Sequence, residues 1–385
     1  MDEIAASLLG LIRSGAATSQ AQLVRSTGLA RATVARRLDA LQSSGLVRAD
    51  AYVRGTGGRP ADRLVIDGAR KFLLGADVGG SHTRVAIADL LGTLIEVTDH
   101  DIDVNEGPDA VLGTVQAAFL ELLERQSATP ARVAGMAVGI PGPIEQSTGR
   151  VVSPPTMRGW DGIDVPAAFT ERFDAPIVVD KDANIIAIGE YAHVPPAVRD
   201  VLLLKVGMGI GAGIIANGEI LRGGQGAAGD LGHLPRPGGE RCRCGQFGCA
   251  EATAGGWAIA RVLERDGGMS VATSADIVAL ARDGHPLVLD LLRRAGHRLG
   301  DVLADAVGML NPTLVIVGGN LAPASPALLD AIRERVAERS HPLATKNLRI
   351  ELGALGAEAG LTGAVKLAGD AAFAWPHTAA LLHNV

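Results

Sequence analysis

The chain has 385 residues, a formal net charge of −6 and 47% hydrophobic residues, of which few are aromatic. This length predicts two or three domains with cores built from Ala, Val, Leu and Ile. The acidic start at Met1–Glu3 argues against a signal peptide, and no apolar run approaches the roughly 20 residues that span a bilayer. We therefore expect a cytoplasmic protein with no membrane partner.

The charge is divided unevenly along the chain. Residues 1–66 contain nine Arg against five Asp or Glu, a balance of +4, so the remaining residues carry −10. A small basic module joined to a large acidic one is typical of a nucleic-acid reader attached to a second functional domain.

The N-terminal segment predicts two short helices joined by a glycine-centred turn. Thr18 or Ser19 is placed to cap the first of the pair, and Gly28 ends it. The second begins near Arg31 and has its apolar side chains at helical spacing, so its Arg-rich face points outward. This is typical of a helix-turn-helix, whose second helix enters the major groove of DNA. The side chains that we expect to contact DNA from this helix are Arg31, Thr33, Arg36 and Arg37.

Residues 45–66 predict two strands around a Gly-rich tip, the wing of a winged helix. Arg59 at this tip suits a narrow minor groove. One irregularity is Ala30, which stands where a capping Ser is usual at the start of the DNA-reading helix. We predict that residues 1–70 form a winged helix-turn-helix DNA-binding domain. The alternative is a small helical cap with a solvated Arg face.

Three glycine loops, each at the end of an apolar β-run, mark the larger part of the chain. Asp77 ends the strand before the first loop, where its carboxylate could hold magnesium while backbone amides cradle a phosphate. One such loop is a common tight turn, but three suit a nucleotide cleft between two duplicated lobes. The candidate nucleotide-binding residues are Asp77, Gly79, Gly80, Gly207, Gly209, Gly211, Gly318 and Gly319.

Residues 177–190, IVVDKDANIIAIGE, predict a strand that runs directly into a helix. Asp182 lies at this junction, the usual place of an active-site carboxylate in an α/β sheet. There it could take a proton from a substrate hydroxyl during phosphoryl transfer. The alternative role of Asp182 is to cap the helix.

All three cysteines of the chain fall within eight residues, close to His233. Thiolates and imidazole are the preferred ligands of zinc, and four of them close a tetrahedral structural site. A disulfide is disfavoured because three is odd and Cys-x-Cys is too short for an easy bridge. Inert buried thiols are the remaining alternative. The predicted zinc ligands are His233, Cys242, Cys244 and Cys249.

Motifs along residues 71–370 resemble those of the ROK family (repressors, open reading frames, kinases). In family order they read DVGGSHTRVAIAD, AVGIPGPI, SPPTMRGW, DKDANIIAIGE, GMGIGAGIIANGEILRG, AAGDLGHL, the His/Cys knuckle, NPTLVIVGG and GLTGAVKLA. The resemblance implies an α/β, two-lobed, actin-like ATPase fold of the sugar-kinase and ribonuclease-H-like type with a structural zinc knuckle. We expect a first lobe in residues 71–190 and a second in residues 191–385, with the terminal helix returning to the first lobe.

The resemblance also implies a sugar site between the lobes. Asp182 matches the general base of the kinases, and His233 matches a zinc ligand that also shapes the sugar pocket. Three contacts differ from the family pattern: Thr156 and Lys181 replace Asn, and Asp230 replaces Glu. A cation at Lys181 weakens Asp182 as a base, or it pairs with an acidic or phosphorylated sugar. The implied sugar-binding residues are Thr156, Lys181, Asp182, Asp230, His233 and Glu251.

Two functions follow from these patterns. The first is a transcriptional regulator, a repressor of carbohydrate genes, that binds an inverted-repeat operator as a homodimer or homotetramer and responds to a sugar or sugar derivative in the cleft. The second is an ATP-dependent sugar kinase of the hexokinase or glucokinase type, alone or combined with regulation, with magnesium near Asp77 and Asp182 as base. Zinc is expected in either case, whereas ATP and magnesium are needed only by the kinase. The Arg-rich helix and its wing favour the regulator.

Overall fold

The computed structural model of the chain describes residues 3–50, 63–236, 239–374, 376, 377 and 381. The tip of the predicted wing, with Arg59, lies outside these residues. No helix within the described ranges is both long enough and apolar enough to cross a lipid bilayer.

Three helices and a two-stranded antiparallel hairpin form the N-terminal unit. Ser19 caps the second helix by accepting a hydrogen bond from the Gln22 backbone N–H, and Gly28 ends that helix with a φ of 66°. This confirms the predicted helix-turn-helix and resolves the choice of cap in favour of Ser19. The elements are α1 (Glu3–Arg13), α2 (Gln20–Thr27), α3 (Arg31–Ser43), β1 (Val47–Asp50) and β2 (Arg63–Ile66).

The first lobe is built on a five-stranded sheet with the order β5-β4-β3-β6-β9. Its first three strands form an antiparallel meander, and the next two add in parallel beside β3. Every residue of β6 is buried, as expected for a central parallel strand covered on both faces. The elements are β3 (Phe72–Val78), β4 (Thr83–Asp89), β5 (Leu94–His100), α4 (Pro108–Arg125), β6 (Val133–Ile140), β7 (Ile144–Glu145), β8 (Arg150–Val151), β9 (Ile177–Lys181) and α5 (Asp182–Tyr191).

The second lobe repeats this topology, with a five-stranded sheet in the order β12-β11-β10-β13-β14. An antiparallel meander is again followed by two parallel strands, so the two lobes are duplicated, as the glycine loops predicted. The elements are β10 (Val201–Val206), β11 (Ile210–Ala216), β12 (Glu219–Ile220), α6 (Glu251–Ala254), α7 (Gly256–Gly267), α8 (Ser274–Arg282), α9 (Pro286–Leu310), β13 (Leu314–Gly318), α10 (Pro326–Arg339), α11 (Pro342–Thr345), β14 (Arg349–Leu352) and α12 (Ala359–Phe373).

Two helices, α5 and α12, lie between the sheets and join the lobes. α12 packs on β3 and β6 of the first lobe, whereas α5 packs on β10 and β11 of the second, and the two helices pack against each other. Glycines allow their backbones to approach closely, because a Cβ at Gly363 would collide with the Ile185 carbonyl and one at Gly189 with the Ala359 carbonyl. The sheets are therefore coupled through a tightly packed helix pair.

The N-terminal unit rests on the far end of α12. Arg13 of α1 donates a 2.9 Å hydrogen bond to the Asp370 carboxylate, and its guanidinium lies 4.7 Å from the centre of the Phe373 ring. Apolar residues of the N-terminal unit, including Leu8, belong to the same buried cluster as Leu367 of α12. The N-terminal unit is thus attached to the helix that runs between the lobes.

Candidate functional site

Asp182 begins α5 at the point where β9 ends, so strand and helix together place its carboxylate at the edge of the first sheet. The side chain is only 12% exposed and forms an ion pair with Lys205 of β10. Its other oxygen accepts a 2.6 Å hydrogen bond from the Ala183 backbone N–H. Both carboxylate oxygens therefore have partners within the protein.

Lys205 belongs to the candidate site although the sequence did not point to it, because it lies within the otherwise apolar strand VLLLKV. Burial opposes the charge of its ammonium, but the Asp182 carboxylate, with Asp77 and Glu251 nearby, outweighs burial and raises the pKa of Lys205. The available signal was a single Lys in an otherwise apolar strand, two residues before the second glycine loop. A lysine there must either be paired or face a cleft.

Asp77 lies near the end of β3, against the first turn of α12, where a Cβ at Gly360 would collide with its carboxylate. Burial raises the pKa of Asp77 to about 6, and the negative charge of Asp182 adds to this effect. Lys205 opposes the shift. The structure therefore brings together Asp77, Asp182 and Lys205, three residues from three separate elements.

The glycine loops stand at the ends of the strands as predicted. The Gly79 N–H donates to the His82 carbonyl over 2.8 Å, and the Gly207 N–H donates to the Gly209 carbonyl over 3.0 Å. Gly319 has a φ of 86°. A Cβ there would lie 2.6 Å from the Val206 carbonyl oxygen, so the turn after β13 requires glycine. Nucleotide binding by these loops stays a prediction.

Lys181 has protein partners of its own. Its ammonium donates to the Ala228 carbonyl. Burial lowers the pKa of Lys181, and the charges of Asp230, then Asp180 and Asp182, oppose that shift. The cation paired with Asp182 is therefore Lys205, where the sequence pointed to Lys181.

Asp180 forms a second buried contact between the lobes. It is 1% exposed and accepts hydrogen bonds from Arg222 Nε at 2.8 Å and Asn184 Nδ2 at 2.6 Å. Arg222 follows β12 of the second lobe, so this ion pair crosses from one lobe to the other. The Asp180 carboxylate is thus neutralised by a partner within the protein.

Glu251 is also held by the protein. One of its oxygens accepts a 2.8 Å hydrogen bond from the Ile210 N–H, and the other a 3.2 Å bond from the Trp257 indole. The Trp257 ring lies between two guanidiniums, with Arg243 at 4.6 Å and Arg261 at 5.2 Å from its centre. The second glycine loop is therefore tied to the cysteine-rich segment through Glu251.

Thr156 lines a cavity of about 410 Å³ between the first lobe and the cysteine-rich segment. Residues 154–158 and Asn105 supply the first-lobe wall, and Arg243 supplies the opposite one. Asp230 is exposed and lies close enough to Lys181 to stabilise its charge. Of the predicted sugar-binding residues, only Thr156 lines this cavity, whereas His233 lies in the cysteine cluster and the others lie near Lys181 or Lys205.

The predicted zinc ligands lie together. The ligand atoms of the four residues are all within 4.8 Å of one another. Two of the separations, Cys242 Sγ to His233 Nδ1 and Cys244 Sγ to Cys249 Sγ, are each 3.6 Å. Tetrahedral bonds of about 2.3 Å place neighbouring sulfurs roughly 3.7 Å apart, so these residues fit a single metal ion. Burial raises the pKa of Cys249 to about 12, and a coordinated divalent cation would reverse that shift.

The DNA-reading face of α3 is arranged as predicted. The side chains at helical spacing, Val34, Leu38 and Leu41, are buried, while Arg31 and Arg36 are exposed. Thr33 and Arg37 are half-buried. Ala30 at the start of α3 provides no side-chain cap, which is the irregularity the sequence predicted. Individual contacts to DNA stay predictions, and Arg59 lies outside the described residues.

Two lobes of one repeated topology, joined by a helix pair and preceded by a winged helix-turn-helix, define a DNA-reading protein on the actin-like, sugar-kinase type of scaffold. The ROK family profile matches residues 73–371, and the chain belongs to the ROK family. The IclR helix-turn-helix domain matches residues 3–51. The predicted family, the N-terminal helix-turn-helix and the two-lobed α/β fold are thereby confirmed, whereas the zinc knuckle stays a prediction.

Three comparisons show where the chain stands within this family. A xylose repressor of Caldicellulosiruptor bescii is 26% identical over 363 residues, which cover 91% of each chain. A glucokinase of Halalkalibacterium halodurans is 28% identical over 310 residues, covering 76% of this chain and 93% of the relative. A solved ROK family transcriptional regulator, a homologue of the E. coli MLC protein, superposes with a TM-score of 0.82 and 25% identity, covering 98% of both chains.

Proposed function

We propose that this chain is a sugar-responsive transcriptional regulator, a repressor of carbohydrate metabolism genes. The observation that carries the proposal is a helix-turn-helix unit whose α3 has an exposed Arg face and whose α1 docks through Arg13 onto α12, the helix that runs between the lobes. The similar repressor and regulator match more than nine-tenths of this chain, whereas the similar glucokinase matches about three quarters of it.

The effector is a sugar or sugar derivative that binds between the lobes. Asp182 and Asp230 offer carboxylate oxygens to sugar hydroxyls, and Thr156 and His233 add polar contacts from either side. Because Lys181 and Lys205 already have carboxylates or a carbonyl as partners, no anionic group on the ligand is needed to balance them. Charge balance favours a neutral sugar at the Asp182 end of the cleft.

The metal is zinc, with a structural role. Three thiolates and one imidazole form a closed ligand set with no position left for a reacting water. The knuckle fixes the segment that carries Arg243 and Glu251, and through Glu251 it supports the second glycine loop. The metal therefore acts on effector binding by holding the cleft wall.

DNA binding uses two copies of the winged helix. A two-fold dimer, or a tetramer made of two such dimers, presents two equivalent α3 helices and therefore reads an inverted repeat. Effector control requires two arrangements of the lobes that differ in operator affinity. The sugar changes operator affinity only if it binds these two arrangements with different affinity.

The sugar-kinase alternative is disfavoured by the pairing of Asp182. In a kinase the general base takes the proton of the substrate hydroxyl, whereas here the Lys205 ammonium and the Ala183 N–H each occupy one acceptor position on the Asp182 carboxylate. The remaining lone pairs can still accept hydrogen bonds from a sugar. Asp77 and the glycine loops are retained, so the scaffold of a kinase persists around an Asp182 that is already ion-paired.

The test is operator binding measured by fluorescence anisotropy, with and without a panel of neutral sugars and sugar phosphates. The full chain should bind its own promoter DNA at nanomolar concentration, and one sugar of the panel should change that affinity at least tenfold. The chain without residues 1–66 should lose DNA binding while keeping sugar binding, as followed by thermal unfolding. Promoter binding that survives this deletion, or rapid ATP-dependent phosphorylation of a sugar in the panel, would refute the proposal.

A further inference from the structure

The fold implies a site for a nucleotide and its divalent cation, and the residues at that site can be compared with what the cation needs. Magnesium binds through carboxylate oxygens in a near-octahedral shell and gives up its water reluctantly. In phosphoryl transfer it must also bridge phosphate oxygens beside the base. The two carboxylates available for this are Asp77 and Asp182, whose charges influence each other.

An ammonium already binds one of these carboxylates. Lys205 bonds directly to Asp182, and Asp77 is close enough to contribute to the stability of its charge. The Lys205 side chain is 22% exposed and that of Asp182 12%, so solvent screens the pair only in part. A divalent ion at this place would have to displace the ammonium and then tolerate its positive charge a few ångströms away.

The strand geometry holds Lys205 in this position. β10 is a central strand, and Lys205 lies opposite Gly211 of β11 and Gly318 of β13. Neither neighbour has a side chain, so no side chain at these two register positions stands beside the lysine stem. The glycines that suggested a phosphate cradle in the sequence thus make room for a lysine.

We propose that Lys205 is a built-in cation that takes the place of the divalent metal at Asp182, so that the cleft binds its sugar without metal or nucleotide. Asp182 then serves as a fixed hydrogen-bond acceptor for the ligand, and no proton is transferred. This inference rests on the sugar-binding role of the cleft proposed above. In this proposal a single residue, Lys205, makes the difference between a cleft that binds metal and nucleotide, as in a kinase, and a cleft that binds the sugar alone.

The experiment uses Mn²⁺ as a probe for magnesium, with the full-length, zinc-loaded protein so that the knuckle is already filled. Free Mn²⁺ is measured by electron paramagnetic resonance. The unmodified protein should bind no Mn²⁺ at concentrations up to about 1 mM. Lys205→Met keeps the side-chain length but removes the charge, and it should gain one Mn²⁺ site per chain with at least tenfold higher affinity.

Two controls place the site. Lys181→Met removes another cleft lysine, whose ammonium is bound to the Ala228 carbonyl, and should gain no Mn²⁺ site. The double variant Lys205→Met, Asp182→Asn should lose the gained site. Operator binding measured on the same samples reports separately on the regulatory function, so a failure there is distinguishable from a failure of the metal result.

The proposal is overturned if the unmodified protein binds Mn²⁺ and Asp77→Asn abolishes that binding. It is also overturned if Lys205→Met folds, as shown by circular dichroism, and gains no site. If Lys205→Met fails to fold, Lys205→Gln takes its place. Mn²⁺ binding by the unmodified protein is measured in any case and needs no Lys205 variant.

Discussion

Asp77 is the residue with the clearest expected pH dependence. Burial, together with the charge of Asp182, raises its pKa to about 6 from an ordinary value of 3.8. The folded protein therefore holds a proton at this site more tightly than the unfolded chain does. The resulting contribution to stability is complete below about pH 4 and is lost as the pH rises through about 6.

Asp77→Asn should remove the loss of folding stability that the unmodified protein shows as the pH rises. We expect the free energy of unfolding to rise by about 1–3 kcal/mol at pH 8 and to change little near pH 4. Thermal unfolding of both proteins across this pH range measures the difference. Asp276→Asn is the control with the opposite sign, because its carboxylate accepts from Thr273 in the capping box of α8 and its pKa is lowered. A higher stability of the unmodified protein at pH 8 would contradict the role given to Asp77.

At the scale of elements, the cysteine-rich knuckle depends on its metal. Cys244→Ser removes one of four ligands, and metal content should fall from about one zinc per chain to well below half. The melting temperature should fall with it, because the free energy of metal binding is part of the folding free energy of the knuckle. Elemental analysis and calorimetry measure the two effects.

Phe247→Ser is the matched control for this loop. Phe247 is 65% exposed and lies between two of the ligands in sequence, yet it offers no ligand atom. It should keep its zinc and nearly all of its stability. Equal metal content in Cys244→Ser and the unmodified protein would rule out the predicted site.

The helix α3 is the second element with a testable role. Arg36 is exposed on its outward face, and Arg36→Ala should weaken operator binding by about 1–3 kcal/mol if the side chain reads a base. If Arg36 meets only a phosphate, binding weakens on all sequences and its dependence on salt becomes shallower by about one unit. Anisotropy titrations at several salt concentrations distinguish these outcomes. Arg294 is an exposed arginine on α9 of the second lobe, so Arg294→Ala should change neither operator affinity nor its salt dependence. If Arg36→Ala also left both quantities unchanged, α3 would not be part of the DNA interface.

At the scale of the whole molecule, α12 connects the cleft to the DNA-reading unit. Its first turn packs against Asp77, and its last turn receives Arg13 through Asp370 and Phe373. Arg13→Ala should leave sugar binding intact and reduce the change in operator affinity that the sugar causes. This substitution should weaken the docking of the N-terminal unit on α12 by about 1 kcal/mol, since the Arg13–Asp370 ion pair is partly exposed.

Hydrogen exchange of α1 and anisotropy with and without sugar measure this coupling. Lys366→Ala is the control, because Lys366 pairs with the same Asp370 but lies on α12 itself. A full sugar response in Arg13→Ala would show that the two units communicate by another route.

Local patterns in the sequence were sufficient for several parts of this protein. The spacing of Val34, Leu38 and Leu41 predicted which face of α3 is buried, because helical periodicity depends only on neighbouring residues. The three cysteines lie within eight residues, so their meeting needs little more than tight turns at Gly245 and Gly248. The duplicated lobes were predicted from glycine loops at the ends of apolar strands, which are also local features.

Contacts between distant residues were decided by the tertiary structure alone. Lys205 and Asp182 are 23 residues apart and meet only because β10 and the start of α5 come together between the lobes. Arg13 and Asp370 are 357 residues apart, and their pairing depends on α12 packing on the first sheet. The sequence by itself determined the helix-turn-helix, the family and the cluster of His233 with the three cysteines, because short-range spacing encodes them. The packing of distant elements decided which cation pairs with Asp182 and where the DNA-reading unit docks. No local pattern in the sequence records the relative positions of those elements.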